Sequence, residues 1–243
     1  MATNKVLWVV NLPSIHALVQ QAQSVKATAV AIRTTANNFG ESIPAFHDEG
    51  IQVLGWRFPP TVRSIALDQA QHVVELMQLE LDGFIVDPEG HEKSSLNWDQ
   101  PGLADLAEQY CTIIRTAFPG KLFGTTSDHR AARVYPRLTW EAFINNSDKV
   151  YPQAYWRMQT DHGPRPVGKG RPQPNYDVAL SAWEQVGAEA GKIIPMAGEI
   201  ALAKQGEIES YVAAAATNGV NELHFYAADE GVPMSVFQSI AAA

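Results

Sequence analysis

The amino-acid sequence predicts an α/β protein, a single (β/α)8 barrel of the TIM-barrel type that spans residues 1–243. Short apolar or β-branched runs alternate with segments of helical periodicity, the pattern of parallel strands joined by helices. There are eight such runs, and 243 residues is close to the roughly 250 of a typical barrel of this kind. Hydrophobic residues make up 46% of the chain and charged residues 18%, as in a globular protein.

The predicted strands are short and spread over the whole chain. They cover residues 5–11, 28–34, 52–56, 83–87, 122–126, 149–155, 192–197 and 222–226. The clearest predicted helices cover 64–80, 103–118, 178–190 and 207–217, and a short last helix begins at Pro233. An open, doubly wound sheet is the rival architecture, but the chain lacks the GxGxxG pattern that binds phosphates in such sheets. No repeat or linker divides the chain, so one domain is predicted.

Charge and composition argue against several classes of partner. The formal net charge of −8 disfavours nucleic acid or an anionic membrane as the main partner. No run approaches 18 apolar residues, and the apolar run 6–10 is too short for a signal peptide, so we expect a cytoplasmic protein or one released by a non-classical route. The single cysteine, Cys111, excludes an internal disulfide, and its helical spacing to apolar residues predicts a core position.

Two carboxylates follow the fourth predicted strand. Residues 83–90 read GFIVDPEG, an apolar run that ends in Asp87 and Glu89. In an extended chain, side chains at i and i+2 point to the same side, with Cα atoms roughly 6–7 Å apart. Two acids held that close can keep one carboxyl protonated beside a charged neighbour, as glycosidic bond cleavage requires. The alternative interpretation is a Pro-Glu-Gly turn whose acids face water.

Polar and aromatic residues also follow the other predicted strands. Catalytic groups of a (β/α)8 barrel lie at the carboxyl ends of its strands, so these residues should meet at one rim. Sugar rings stack on aromatic side chains, and sugar hydroxyl groups pair with carboxylates and amides, so such a rim favours carbohydrate binding. The residues expected to bind substrate are Asn11, Trp56, Gln153, Trp156, Glu199, Tyr226 and Asp229. By contrast, Trp8 inside the first strand is expected to be a packing residue.

Two short segments carry a resemblance to a known class of enzyme. GFIVDPEG and the strand-6 segment VYPQAYW resemble glycoside hydrolase families 18 and 25, the chitinase-like and lysozyme-like barrels. The resemblance implies that Glu89 is the general acid, that Asp87 helps to hold the 2-acetamido group of the substrate, and that Tyr155 contacts the carbonyl of that group. It also implies a polysaccharide of N-acetylhexosamine, chitin-like or peptidoglycan-like, cleaved with retention through attack by the acetamido group. No cofactor is implied.

Departures from the families leave a binding function open. Family 18 carries a longer acidic series before its Glu, whereas this chain has Phe84 and Val86 there. Family 25 has an Asp at the end of strand 1, where this chain has Asn11. A non-catalytic carbohydrate-binding barrel is therefore one alternative. For catalysis, we expect Glu89 to hold the proton beside an ionised Asp87.

A metal-dependent hydrolase or isomerase is the other alternative. Asp87, Glu89 and His91 alternate, and His129, Glu199 and Asp229 are expected on the same rim, a ligand set that suits a divalent cation. Neither HxH nor HExxH occurs, so no metal site is predicted.

The longest irregular stretch covers residues 157–175. It is rich in glycine and proline and carries Arg165, Lys169 and Arg171. Two interpretations remain open: a lid or specificity loop that meets an anionic substrate, or a solvated loop that contacts nothing.

Overall fold

The computed structural model describes residues 3–90, 94–229 and 231–243. The strands, in chain order, are β1 (Asn4–Val9), β2 (Ala29–Arg33), β3 (Gln52–Arg57), β4 (Gly83–Val86), β5 (Leu122–Asp128), β6 (Lys149–Gln153), β7 (Arg157–Met158), β8 (Arg165–Pro166), β9 (Ala197–Gly198) and β10 (Glu222–Tyr226). The α-helices are α1 (Ile15–Ser24), α2 (Phe39–His47), α3 (Arg63–Gln78), α4 (Ala104–Ala117), α5 (Trp140–Asn145), α6 (Pro172–Glu184), α7 (Glu207–Thr217) and α8 (Met234–Ala242).

Eight of these strands form a parallel ring. Their order is β6-β5-β4-β3-β2-β1-β10-β9, while β7 and β8 pair with each other as a separate antiparallel hairpin. The ring closes between β6 and the segment before β9 through parallel bridges at Val150–Ile193 and Gln153–Met196. This topology confirms the predicted (β/α)8 barrel.

Successive side chains of each strand point alternately into two apolar layers, because the side-chain period of a strand is two. On β1, Val6 and Trp8 belong to the cluster inside the barrel, whereas Leu7 and Val9 pack in the layer between strands and helices. Trp8 is buried, as expected, and its indole Nε1 donates to His224 Nδ1 at 2.9 Å. Cys111 is buried on α4, which confirms its predicted core position.

The seventh strand of the ring is much shorter than predicted. Residues 192–197 were expected to form it, but Ala190–Lys192 is a turn of 3₁₀-helix and regular pairing is confined to β9. The facing residues Pro152 and Pro195 have no amide hydrogen, so a continuous ladder cannot form between them. Only isolated hydrogen bonds remain, from Ile194 N to Val150 O at 2.9 Å and from Met196 N to Pro152 O at 2.8 Å.

The helix after the long irregular stretch begins and ends earlier than predicted. The expected span was 178–190, but α6 begins at Pro172, and a proline is well tolerated in the first turn because no helical partner awaits its missing N–H. The helix ends at Glu184, and Gly187 then adopts a left-handed φ of +101°. None of the helices in the described part of the chain combines the length and the apolar character of a membrane span.

Candidate active site

A cavity of about 460 Å³ opens at the carboxyl ends of the barrel strands. Its volume lies within the roughly 300–1,000 Å³ of small-molecule sites. Predicted site residues from five strands and their following loops line it: Trp56, Asp87, Glu89, Gln153, Tyr155, Glu199 and Tyr226. The barrel thus brings together most of the residues that the sequence placed at one rim.

The segment that carries the two acids is held in an extended form just beyond β4. The amide of Asp87 donates to Arg57 O at 3.0 Å, and Ser127 Oγ donates to Pro88 O at 2.7 Å. Glu89 forms a parallel bridge with Asn97, which anchors the far end. Because the chain stays extended, the two carboxyl groups point to the same side.

Gln153, at the end of β6, links the two acids. Its Nε2 donates to Asp87 Oδ1 and to Glu89 Oε1, each at 3.0 Å. The side chain is therefore committed to orienting both carboxyl groups. Gln153 also lines the cavity, and its expected contact with substrate stays a prediction.

Burial and the neighbouring carboxyl favour the protonated form of Asp87. Asp87 is only 3% exposed, and this burial raises its pKa well above the ordinary range. The charge of Glu89 and a hydrogen bond between the two carboxyls raise the pKa of Asp87 further, while the Gln153 amide opposes the shift. This direction runs against the expectation of an ionised Asp87 in the free protein, and the roles of the two acids in catalysis stay a prediction.

Aromatic rings form the opposite wall and the floor of the cavity. The rings of Tyr155 and Tyr226 stack with centroids 5.3 Å apart and an interplanar angle of 17°. Burial raises the pKa of both tyrosines, so their hydroxyl groups stay protonated and can donate to a ligand. On the floor, Trp8 and Trp56 lie 5.8 Å apart, and Trp56 Nε1 donates to Val9 O at 3.0 Å.

Trp156, predicted to bind substrate, does not line this cavity. It is 1% exposed and packs in the layer between strands and helices, beside Tyr211. Its indole Nε1 donates to Glu207 Oε2 at 3.0 Å. Consecutive residues of an extended chain point to opposite sides, so once Tyr155 faces the cavity, Trp156 faces away from it.

A second cavity adjoins the first and holds the remaining predicted residues. It has a volume of about 360 Å³ and is lined by Val10, Asn11, Gln159, Glu199, Ala201, Leu202, Tyr226, Ala227 and Asp229. Asp229 accepts hydrogen bonds from the amides of Val10 at 3.0 Å and Asn11 at 2.7 Å, so it also fixes the end of β1. Glu199 and Tyr226 line both cavities.

The stretch after β6 is folded and covers one side of the first cavity. The hairpin β7–β8 lies within it, and Met158, Arg165 and Val167 line the cavity. Asn175, fully buried on α6, holds this stretch in place through two hydrogen bonds. Its Nδ2 donates to Tyr155 O at 2.7 Å and to Val167 O at 2.9 Å. The interpretation as a solvated loop that contacts nothing is therefore wrong.

Several lining residues were not selected from the sequence. Tyr135 lies beside the acids, where a Cβ on Gly90 would come within 2.5 Å of its ring, and burial raises the pKa of Tyr135. Phe58, Val134 and Met158 also line the first cavity. Tyr135, Phe58 and Val134 lie in loops, and Met158 lies in the two-residue strand β7, so no periodic pattern in the sequence identified them. Arg130 follows β5 and is held by Asp128 through two side-chain hydrogen bonds of 2.9 and 2.7 Å.

No metal-binding cluster of three or more His, Cys, Asp or Glu side chains occurs in residues 3–90, 94–229 and 231–243. His91, which the metal alternative used, lies outside the described residues.

Comparison with known proteins supports the fold. No family model matches the chain, and no curated protein matches it in sequence. The spore cortex-lytic enzyme SleL of Bacillus cereus is structurally similar, with a TM-score of 0.68 and 10% identity over 99% of this chain and 74% of that chain. A class V chitinase from Pseudomonas fluorescens Pf-5 has a TM-score of 0.66 and 10% identity over 98% of both chains.

The similarity extends to other barrels. A GH2 β-galacturonidase from Eisenbergiella tayi has a TM-score of 0.66 and 9% identity over 99% of this chain and 50% of that chain. At such identities the similarity shows a shared fold, and function has to be argued from the site. The likeness to chitinase-type barrels that the sequence indicated is confirmed at the level of the fold: the chain is a (β/α)8 barrel with an acidic, aromatic cleft at the carboxyl ends of its strands.

Proposed function

We propose that the chain is a glycoside hydrolase that cleaves a polysaccharide of N-acetylhexosamine, chitin-like or peptidoglycan-like, by retaining, substrate-assisted acid catalysis. The observation that carries the proposal is the pair Asp87 and Glu89, joined through Gln153 and facing an aromatic wall in a cavity of sugar-binding size. The structural likeness to a class V chitinase and a spore cortex-lytic enzyme is consistent with it.

In the proposed mechanism, Asp87 holds the proton of the pair in the free protein, in line with its raised pKa. Glu89 is the less buried acid, so it is the one that can reach a glycosidic oxygen. When substrate enters, the proton moves from Asp87 to Glu89, and Glu89 delivers it to the leaving oxygen as the C1–O bond breaks. The bonding electrons stay on the leaving oxygen, and Asp87 becomes an anion beside the positive charge that develops on the sugar.

The spacing of the acids favours attack by the substrate's own acetamido group. Asp87 Oδ1 and Glu89 Oε1 each lie 3.0 Å from Nε2 of Gln153, so the two oxygens are within about 6 Å of each other. The two carboxyl groups of an inverting enzyme are farther apart, at roughly 6.5–9.5 Å. A direct nucleophile needs to approach from the opposite side of the bond, whereas Asp87 and Glu89 extend from the same strand. The acetamido oxygen therefore attacks C1, and Tyr155 donates a hydrogen bond to that group.

Substitution of Glu89 tests the proposal. Glu89→Gln keeps the shape and the hydrogen bond to Gln153 but cannot donate the proton, so hydrolysis of N-acetylhexosamine polymers should fall about 10²–10⁴-fold while binding persists. Glu184→Gln, an exposed position at the end of α6, is the matched control and should retain the wild-type rate. Hydrolysis that survives in Glu89→Gln contradicts the assignment of the acid.

The product anomer tests the mechanism. Time-resolved NMR of the fresh product should show net retention, and cleavage should require a 2-acetamido group on the sugar whose bond is broken. Prompt appearance of the inverted anomer rejects substrate assistance. Wild-type protein that binds these polymers and never cleaves them identifies a non-catalytic carbohydrate-binding barrel.

A further inference from the structure

The second cavity adjoins the proposed active site. Glu199 and Tyr226 line both cavities, so a ligand chain that extends past these two residues reaches from one cavity to the other. The volume of about 360 Å³ is within the roughly 300–1,000 Å³ of ligand sites. The volume and the position of this cavity therefore suit the next unit of a chain whose neighbour lies at Asp87 and Glu89.

The walls of the second cavity combine apolar and hydrogen-bonding groups. Val10, Leu202 and the ring of Tyr226 offer apolar surface, and Asn11 and Gln159 bring side-chain amides. Its two ionisable carboxyl groups, Glu199 and Asp229, face the same space. Among the described residues that line it, none is a lysine or an arginine, whereas Arg130 and Arg165 line the first cavity.

Both carboxyl groups are held in place by backbone amides. Glu199 Oε2 accepts a hydrogen bond from the amide of Gln159 at 2.8 Å, and Asp229 uses both oxygens to hold the end of β1. Partial burial raises the pKa of Glu199. A cationic ligand group close to a partly desolvated carboxylate is stabilised more strongly than at an open surface, and an anionic group is repelled.

We propose that the second cavity is a subsite for the hexosamine next to the one at Asp87 and Glu89, and that Glu199 and Asp229 make it selective for a sugar with a free ammonium group over one with an acidic substituent. The proposal rests on the proposed function, since it takes the ligand to be a hexosamine chain. It adds a substrate class: partly deacetylated polymers, in which glucosamine adjoins N-acetylglucosamine.

Binding of defined tetrasaccharides to the full chain tests this subsite without relying on turnover. Fully N-acetylated and partly deacetylated chito-oligosaccharides are compared by calorimetry at low salt, at a pH that keeps the amine protonated and the carboxyl ionised. The wild type should prefer the deacetylated ligand, and Glu199→Gln should reduce that preference about three- to fivefold, as expected for a partly exposed ion pair. Added salt should weaken the preference of the wild type.

Asp48→Asn removes the same charge from an exposed position at the end of α2 and should keep the preference. Equal binding of both ligands by the wild type, or an unchanged preference in Glu199→Gln, overturns the subsite but leaves the proposed function standing. A wild type that binds neither oligosaccharide overturns the proposed function, and the subsite with it.

Discussion

The ring of Tyr155 occupies the space that a side chain on Gly198 would need. A Cβ built on Gly198 would lie 1.7 Å from Cδ1 of Tyr155, a distance that no pair of non-bonded carbon atoms tolerates. The glycine at the end of β9 thus lets Tyr155 lean across the barrel end and stack on Tyr226. A backbone position on β9 therefore sets the place of a proposed catalytic side chain in the segment after β6.

Gly198→Ala should displace Tyr155 and disturb the site more than the fold. We expect hydrolysis to fall about 10²-fold, since a misplacement of about 1 Å in an active site can cost that much. Overpacking should lower the free energy of unfolding by about 1–3 kcal/mol. Steady-state kinetics and thermal unfolding measure the two effects. Gly191→Ala is the control, because a Cβ at that position would meet no atom within 4 Å; equal activity of the two variants would refute the displacement.

Asp87→Asn should stabilise the protein at neutral pH. A carboxyl whose pKa is raised on folding favours the folded state in acid, and this contribution is lost as the pH rises through the folded-state pKa. The amide mimics the protonated acid, so the variant keeps the stability that the wild type loses. Its melting temperature should exceed that of the wild type at neutral pH, by about 2–4 °C for each kcal/mol relieved, and the gap should close in acid.

Calorimetric scans of the wild type and Asp87→Asn across the pH range measure this difference in melting temperature. Asp68→Asn, an exposed position on α3, should show no such gap. A gap that does not change with pH, or a variant less stable than the wild type at neutral pH, would show that Asp87 is not the proton holder.

Gln153→Ala should shift the pH dependence of hydrolysis. The Gln153 amide favours the charged form of Asp87, so its removal raises the pKa of Asp87 further. The pair then keeps its shared proton to higher pH, and the basic limb of the pH–rate profile should move upward. The maximal rate should drop about 10–100-fold because neither acid is held in position. Gln71→Ala, an exposed position on α3, is the control and should keep the wild-type pH–rate profile. If the basic limb of Gln153→Ala also stays at the wild-type position, Gln153 does not tune the pKa of Asp87.

Asn175→Ala should loosen the stretch that covers the first cavity. The substitution leaves the carbonyls of Tyr155 and Val167 and the amide of Lys169 without their Asn175 partner, at a cost of about 1–3 kcal/mol. Limited proteolysis should cut the variant faster within residues 157–171, and KM should rise. The exposed Asn37→Ala serves as control. Proteolysis at the wild-type rate would indicate that other contacts hold the stretch.

The sequence by itself determined the barrel and the position of the acids. Alternating strands and helices predict parallel strands, and the apolar run 83–86 before Asp87 and Glu89 predicts a buried strand that ends in two carboxylates. The strand and helix pattern and the placing of the two acids are local properties. The periodicity of side chains and the spacing of residues i and i+2 in an extended chain depend on only a few neighbouring residues.

Only the tertiary structure decided which side chains meet and how deeply each carboxyl is buried. Three features depend on elements that are far apart in the chain. Trp156 points away from the first cavity, Tyr135 lines that cavity beside the acids, and the ring of Tyr155 fits above Gly198. The closed barrel buries Asp87 and so raises its pKa, and burial is a property of the assembled fold. Sequence periodicity carries no information about that desolvation, so it could not indicate the raised pKa of Asp87.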